Sequence, residues 1–399
     1  MGFPSSPWMN RNFKLVTIEM GVSRFGTSAF DLMVMWILLH YTGSAFLAGL
    51  GDGMLSLPLL LSFIVGAIVD KLRRRKLIAE AAAGVRSIAL IPMIMAVMRG
   101  PEILVVASSY VAAFLLGMTS DILNSIRTTW SKEFLREDEY KSGSGSYNAV
   151  GSLAEAIGFA VPGLLLGIGY SLAILSLLMV FLSSIIPLAL IKAKPSISSE
   201  GGVSSSIREG LVFIKGNAFM LQFIVISLAA NLVFGMSGIL FTDLVEEEFK
   251  LPPIYMSMLL VTIMIMSILG SIMATRLRGS VGIISAIAMA IMGAAAASIG
   301  FIGNVYLDEA PTAVIGVALG VINVVTGAAM LKAVPSQMMA RAQGAINTFA
   351  LTATFLSGAV GGLIIDVATL RGAFLVVGVF LAIIAVIITR LKAVASISV

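Results

Sequence analysis

A charged side chain inside a long apolar run is costly, so each one marks a place where a partner, water or chemistry is required. The stretch 13–39 holds Glu19, Arg24 and Asp31. At about 100° per residue, Arg24 and Asp31 share a helical face, Ser23 and Thr27 lie within the same arc, and Glu19 sits at its edge. Such a stripe needs a water-filled cavity or polar partners. It has two readings: Arg24 and Asp31 pair within the segment and only orient helices, or each meets a group on another segment. Glu155 stands in the middle of a second apolar run, 146–168. A carboxyl there either loads and releases a proton or is the structural partner of an arginine such as Arg24 or Arg86. Arg86 in 77–98 and Asn231 in 219–243 complete the set of polar side chains placed to line a cavity.

Other chemistries lack their residues. There is one His and no Cys, so a thiolate or histidine metal centre and a disulfide framework are excluded, and no cofactor is expected. No Gly-x-x-x-x-Gly-Lys-Ser/Thr phosphate loop occurs, and no soluble stretch is long enough for an ATPase domain. Metal or acid–base catalysis would need clustered His, Asp or Glu, so an enzyme is not expected. The net charge of +5 is explained by topology rather than by nucleic acid.

The elements that position these residues follow from composition. Hydrophobic residues make up 58% of the 399 and charged residues 12%, about half the charged share of a soluble domain. Lipid must be the solvent for most of the chain. A spanning helix needs about 20 mostly apolar residues. Twelve stretches qualify, near 13–39, 46–69, 77–98, 103–124, 146–168, 170–191, 219–243, 254–275, 281–302, 312–333, 343–366 and 370–389. None alternates polar and apolar residues as a barrel strand would.

Lys and Arg fall overwhelmingly on one side of this layout: Arg11 and Lys14, the run Lys71 to Lys76, residues 127–141 and 192–215, Arg276 and Arg278, Lys332 and Arg341, Arg390 and Lys392. The positive-inside rule then puts both termini in the cytoplasm of a multi-pass cell-membrane protein. The connection 192–218 divides the chain into a first bundle, 1–191, and a second, 219–399. Its Ser/Gly-rich start reads as a flexible linker and 207–215 as a short helix lying on the membrane surface. An offset of 199 residues matches Gly117 with Gly316, Asn124 with Asn323, Gly145 with Gly344, Asn148 with Asn347 and Gly163 with Gly362. The predicted architecture is an all-α membrane protein with twelve transmembrane helices in two pseudo-symmetric six-helix bundles.

Two motifs sharpen this. Between the second and third stretches stand Gly66, Asp70, Lys71, Arg74 and Arg75. In the fifth stand Gly151, Gly158, Pro162 and Gly163. The first resembles the signature of the major facilitator superfamily, with Arg73 where Gly is usual. Its counterpart in the second half keeps Gly270 and Arg278 but has Ala274 for the Asp. The second resembles that superfamily's glycine-rich antiporter pattern in its first spacings and departs from it at Pro162-Gly163; plain helix packing would also explain it. Over nearly the whole chain, Asn12-Phe13-Lys14-Leu15, Trp36, Thr42-Gly43-Ser44, Pro58, Arg86, Glu209-Gly210-Leu211, Asn231 and Pro335 with Arg341 look like the drug-exporter branch that includes macrolide and siderophore exporters.

That resemblance implies proton-driven export of a small hydrophobic or amphipathic compound by alternating access. Asp70 would serve a cytoplasmic gate, and the working unit would be a monomer in the lipid bilayer with protons as coupling ion. An importer or uniporter of a small solute, or a transport-inactive receptor on the same fold, stays open at this point.

Overall fold

Apolar segments satisfy their backbone polar groups internally only by coiling. The computed structural model, which describes residues 10–61, 65, 74–136, 139–193, 216–334, 339–391, 393, 396 and 397, is all-helical. The helices are α1 (Arg11–Thr42), α2 (Ala45–Ser56), α3 (Arg75–Arg99), α4 (Glu102–Phe134), α5 (Tyr140–Ala160), α6 (Pro162–Ile168), α7 (Tyr170–Leu190), α8 (Ala218–Asp243), α9 (Ile254–Ala274), α10 (Val281–Ile302), α11 (Val305–Ala333) and α12 (Met339–Arg390). Among the described residues, ten helical stretches are long and apolar enough to cross a membrane.

Several boundaries have a local cause. Asn10 caps α1, its side chain accepting from the Asn12 and Phe13 amides at 3.0 and 3.1 Å. Gly43 ends α1 in the left-handed region at φ 60°, where glycine carries no Cβ penalty, and its N–H returns to the Leu39 carbonyl. Val161 interrupts the fifth predicted stretch, so α5 ends at Ala160 and α6 begins at Pro162, the position where a missing N–H costs least. α12 is two helices joined across a kink, where Thr369 sits at φ 66°, ψ 161° between the last two predicted stretches. Within the described part of the second predicted stretch, α2 gives way to a 3₁₀ turn, Leu57–Leu61, at Pro58; the rest of that stretch, save residue 65, lies outside the described residues.

The chain forms two compact units. One comprises Met1–Gly43 and Met54–Gly201, the other Ser44–Gly53 and Gly202–Val399. In the first, α1 packs against α4, α5 and α7, and α3 against α4 and α7. α1 is sequestered over Leu32–Leu39, eight consecutive buried residues, as expected of a helix that is apolar all round. In the second, α10 packs on α11 and α12, α9 on α11, and α8 on α12.

Ser44–Gly53 joins the second unit although the helices flanking it in sequence belong to the first. Glycines explain the fit: a Cβ on Gly49 would overlap the Gly358 carbonyl, and one on Gly362 the Ala45 carbonyl. Close backbone approach of this kind needs small residues. The 199-residue repeat has a structural counterpart as well. Gly117 lets α4 cross the Leu55 backbone of α2, and Gly316 lets α11 cross the Ile263 carbonyl of α9, which an added Cβ would meet at 2.6 Å.

Gly66, Asp70 and Lys71 of the signature, the linker and surface helix of 194–215, and Pro335 lie outside the described residues. Arg74 is exposed, and Arg75, the first residue of α3, pairs with Glu133 at the end of α4 at 2.8 Å.

Candidate functional site

The polar stripe of α1 runs 19-23-27, one residue every four, so its side chains stack along one face. Each finds partners on a different helix of the first unit. Glu19, fully buried, receives two hydrogen bonds from Arg127 of α4: Nε to Oε2 at 2.5 Å and Nη2 to Oε1 at 2.7 Å. This fork-to-carboxylate geometry is the strongest ion-pair arrangement side chains make. Ser23 and Thr27 receive Arg86 of α3, whose guanidinium also donates to Ser120 of α4; the Thr27 bond is 3.0 Å. Arg86 lies over the Phe181 ring of α7, 5.0 Å from its centroid. The ring adds cation–π stabilisation to a guanidinium whose hydrogen bonds go to hydroxyls.

Arg24 points the other way, to Glu155 of α5. The single contact is 3.5 Å, and the two side chains are 40% and 38% exposed. Arg24 also lines a cavity of about 450 Å³ whose wall is formed by Asn124 and Thr128 of α4, Ser144, Tyr147 and Asn148 of α5, and Phe13 of α1. Arg24 and Arg127 thus each meet a carboxylate, of Glu155 and Glu19, while Arg86 is held by hydroxyls and the Phe181 ring.

Glycines set the distance between α1 and α5. A Cβ on Gly151 would meet Arg24 Nη1 at 3.1 Å, and one on Gly158 would meet the Phe25 carbonyl at 2.7 Å. Without these two residues α5 could not lie close enough for Glu155 to reach Arg24. Pro162 and Gly163 are buried at the start of α6.

The structure therefore joins Glu19 of α1 to α4 through Arg127, Arg86 of α3 to the same stripe of α1, and Arg24 of α1 to Glu155 of α5. Of the two readings for Arg24, the partner on another helix is the one seen: Glu155, with Asp31 half-buried further along α1. Arg86 is not the partner of Glu155. Asn231 lies in the second unit and donates to the Ser227 carbonyl of its own helix at 2.8 Å. Hydropathy places Arg127 in a cytoplasmic connection, because the apolar run ends near residue 124. In fact α4 continues for ten more residues, to Phe134. The missed signal was a helical repeat of Asn124, Thr128 and Ser131, which places a polar face beyond the apolar run.

The sequence matches the Major Facilitator Superfamily over residues 18–309. The chain belongs to this superfamily. No curated protein sequence matches it. Solved structures share the fold at low identity. The nucleoside transporter NupG aligns with a TM-score of 0.71 at 13% identity, covering 94% of this chain and 99% of its own. A bacterial homologue of the iron transporter ferroportin, in an inward-facing state, gives 0.72 at 14% over 95% and 98%. A bacterial homologue of the human lysosomal transporter Spinster gives 0.74 at 11% over 98% of both chains. The chain is thus a multi-pass membrane protein of a transporter family, and its superfamily relatives of like fold are transporters rather than enzymes.

Proposed function

We propose that this superfamily member is a proton-coupled secondary transporter that exports a small amphipathic compound across the cell membrane by alternating access. It acts as a monomer with twelve crossings and both termini in the cytoplasm. Twelve crossings are supported by the ten long helical stretches, by the break at Thr369 within α12, and by the apolar helix α2 with its 3₁₀ extension.

The observation that carries proton coupling is the Arg24–Glu155 pair. It is single-bonded, 3.5 Å long and half-exposed beside a polar cavity, whereas Glu19–Arg127 is double-bonded and buried. A carboxyl that exchanges between an arginine and a proton must sit where water reaches it and where its ion pair breaks easily. Glu155 meets both conditions and Glu19 meets neither. The cavity's aromatic, hydroxyl and amide lining suits a compound with both apolar and hydrogen-bonding parts. Asp31, on the same helix as Arg24, is the second coupling candidate, and Asp70 belongs to the cytoplasmic gate.

The test is transport in proteoliposomes with an imposed pH gradient, using a compound found by screening lipophilic cations, antibiotics and metal ions. Wild-type protein is expected to concentrate the compound against its gradient, and Glu155→Gln to equilibrate it only. A Glu155→Gln protein that concentrates it as wild type does would overturn the assignment. Accumulation in the direction of proton flow would replace export by import.

A further inference from the structure

The second unit carries an apolar groove on which the proposed proton coupling does not rest. α9, α10 and α11 enclose an outward-opening groove of about 440 Å³. Its floor is α11, with Ala313, Val317 and Val321, and its walls are Leu277 beyond the end of α9 and Ile284 and Ile291 of α10. The lining is apolar, and its rim is open, with Leu277 41% and Ile291 48% exposed. In a membrane protein such a rim faces lipid tails. A concave groove differs from the convex faces around it because a chain lying inside is contacted on three sides.

One end of the groove is lined by Leu277, in the turn that joins α9 to α10. Leu277 is flanked by Arg276 and Arg278, both exposed and neither in an ion pair with a described residue. The helix ends around this turn are basic too, with Lys332 in the last turn of α11 and Arg390 in that of α12. The described acids of the second unit lie elsewhere: Asp52, 243–248, 308–309 and Asp366. Charge asymmetry assigns this basic end to the cytoplasmic side, where the leaflet is anionic.

We propose that this groove is a binding site for an anionic phospholipid, with one acyl chain on the α11 floor and the headgroup phosphate between Arg276 and Arg278. Two positive charges flanking a residue that lines an apolar slot match a ligand with one negative head on an apolar tail. They match neither a wholly apolar ligand nor a free polar one. Binding here leaves the polar cavity of the first unit untouched, so the site is independent of which solute is carried.

The experiment is native mass spectrometry of the full-length protein, delipidated in detergent and titrated with phosphatidylglycerol or phosphatidylcholine of identical acyl chains. Wild-type protein is expected to bind phosphatidylglycerol about tenfold more tightly, an affinity difference of about 1.4 kcal/mol. In Arg276→Gln/Arg278→Gln that preference should vanish. In Val314→Trp, which fills the groove from a lipid-exposed position, both lipids should bind more weakly. Glycerol phosphate alone, lacking a tail, should not compete. Equal affinity for the two lipids on wild type overturns the proposal. So do a preference that survives the double arginine variant, unchanged binding to Val314→Trp, and competition by glycerol phosphate.

Discussion

Glu19 and Arg127, one on α1 and one on α4, form a two-bond ion pair in which the carboxylate has no solvent exposure. The pair ties the stripe-bearing helix to the helix that forms much of the cavity wall. Removing one partner leaves an uncompensated charge in a dry environment, which costs about 3–5 kcal/mol. Glu19→Gln and Arg127→Ala should therefore each lower the unfolding temperature of the purified protein sharply. Glu19→Leu combined with Arg127→Met should recover most of the loss, because two apolar groups need no partner. Single variants that melt with the wild type would show that the pair does not hold α1 to α4.

The Arg24–Glu155 pair should behave in the opposite way. Exposed pairs contribute about 0–1 kcal/mol, and these side chains are 40% and 38% exposed. Glu155→Gln should thus shift the unfolding temperature little while impairing gradient-driven accumulation. Measuring both quantities on the same preparation separates a coupling residue from a structural one. A large fall in unfolding temperature would mark Glu155 as a packing residue instead.

The glycines of the fifth stretch divide by what lies opposite. A Cβ at Gly158 would press on the Phe25 carbonyl and on Ser28 Cβ at 2.9 Å, whereas one at Gly167 meets nothing within 4 Å. Overpacking costs about 1–3 kcal/mol, so Gly158→Ala should destabilise and also weaken transport by pushing Glu155 away from Arg24. Gly167→Ala should be neutral or slightly stabilising in the same melting assay. Equal effects of the two substitutions would mean that α1 and α5 do not pack at the distance described.

Much of this arrangement was written in hydropathy. Apolar runs such as 281–302 fixed helix α10 to the residue, because lipid leaves a backbone no other solution. The ionisable residues of the first unit were visible one by one, since a charge in an apolar run stands out. Their partners were not. Whether Glu155 meets Arg24 or Arg86 depends on helix rotation and on the approach that Gly151 and Gly158 allow, and neither follows from one-dimensional pattern. Arg127 was hidden for another reason: α4 extends past its apolar part, and a polar helix end looks like a loop when hydropathy is the only guide. The membership of Ser44–Gly53 in the second unit was likewise beyond reading, because it rests on glycines more than 300 residues away in sequence, Gly358 and Gly362.

Asp366 supplies the last and most local prediction. Helix α2 has no acidic residue in its first turn, so its leading N–H groups depend on outside acceptors. Ser44 Oγ takes the Leu47 amide at 3.3 Å. The Asp366 carboxylate of α12 takes the Ala45 amide at 3.1 Å, the Phe46 amide at 3.2 Å and the Ser44 hydroxyl at 2.9 Å. A cap supplied by another helix both satisfies donors and favours negative charge at a helix N-terminus. Because the site is exposed, its loss should cost only about 0.5–1 kcal/mol, too little for a melting curve to assign. Amide hydrogen exchange resolves it. In Asp366→Ala the Ala45 and Phe46 amides should exchange faster than in wild type, while Leu47, held by Ser44, should change least. Asp366→Asn keeps one acceptor oxygen and should fall between the two. If Ala45 and Phe46 exchange at wild-type rates in Asp366→Ala, the carboxylate is not their acceptor, and α2 is held to α12 by glycine packing alone.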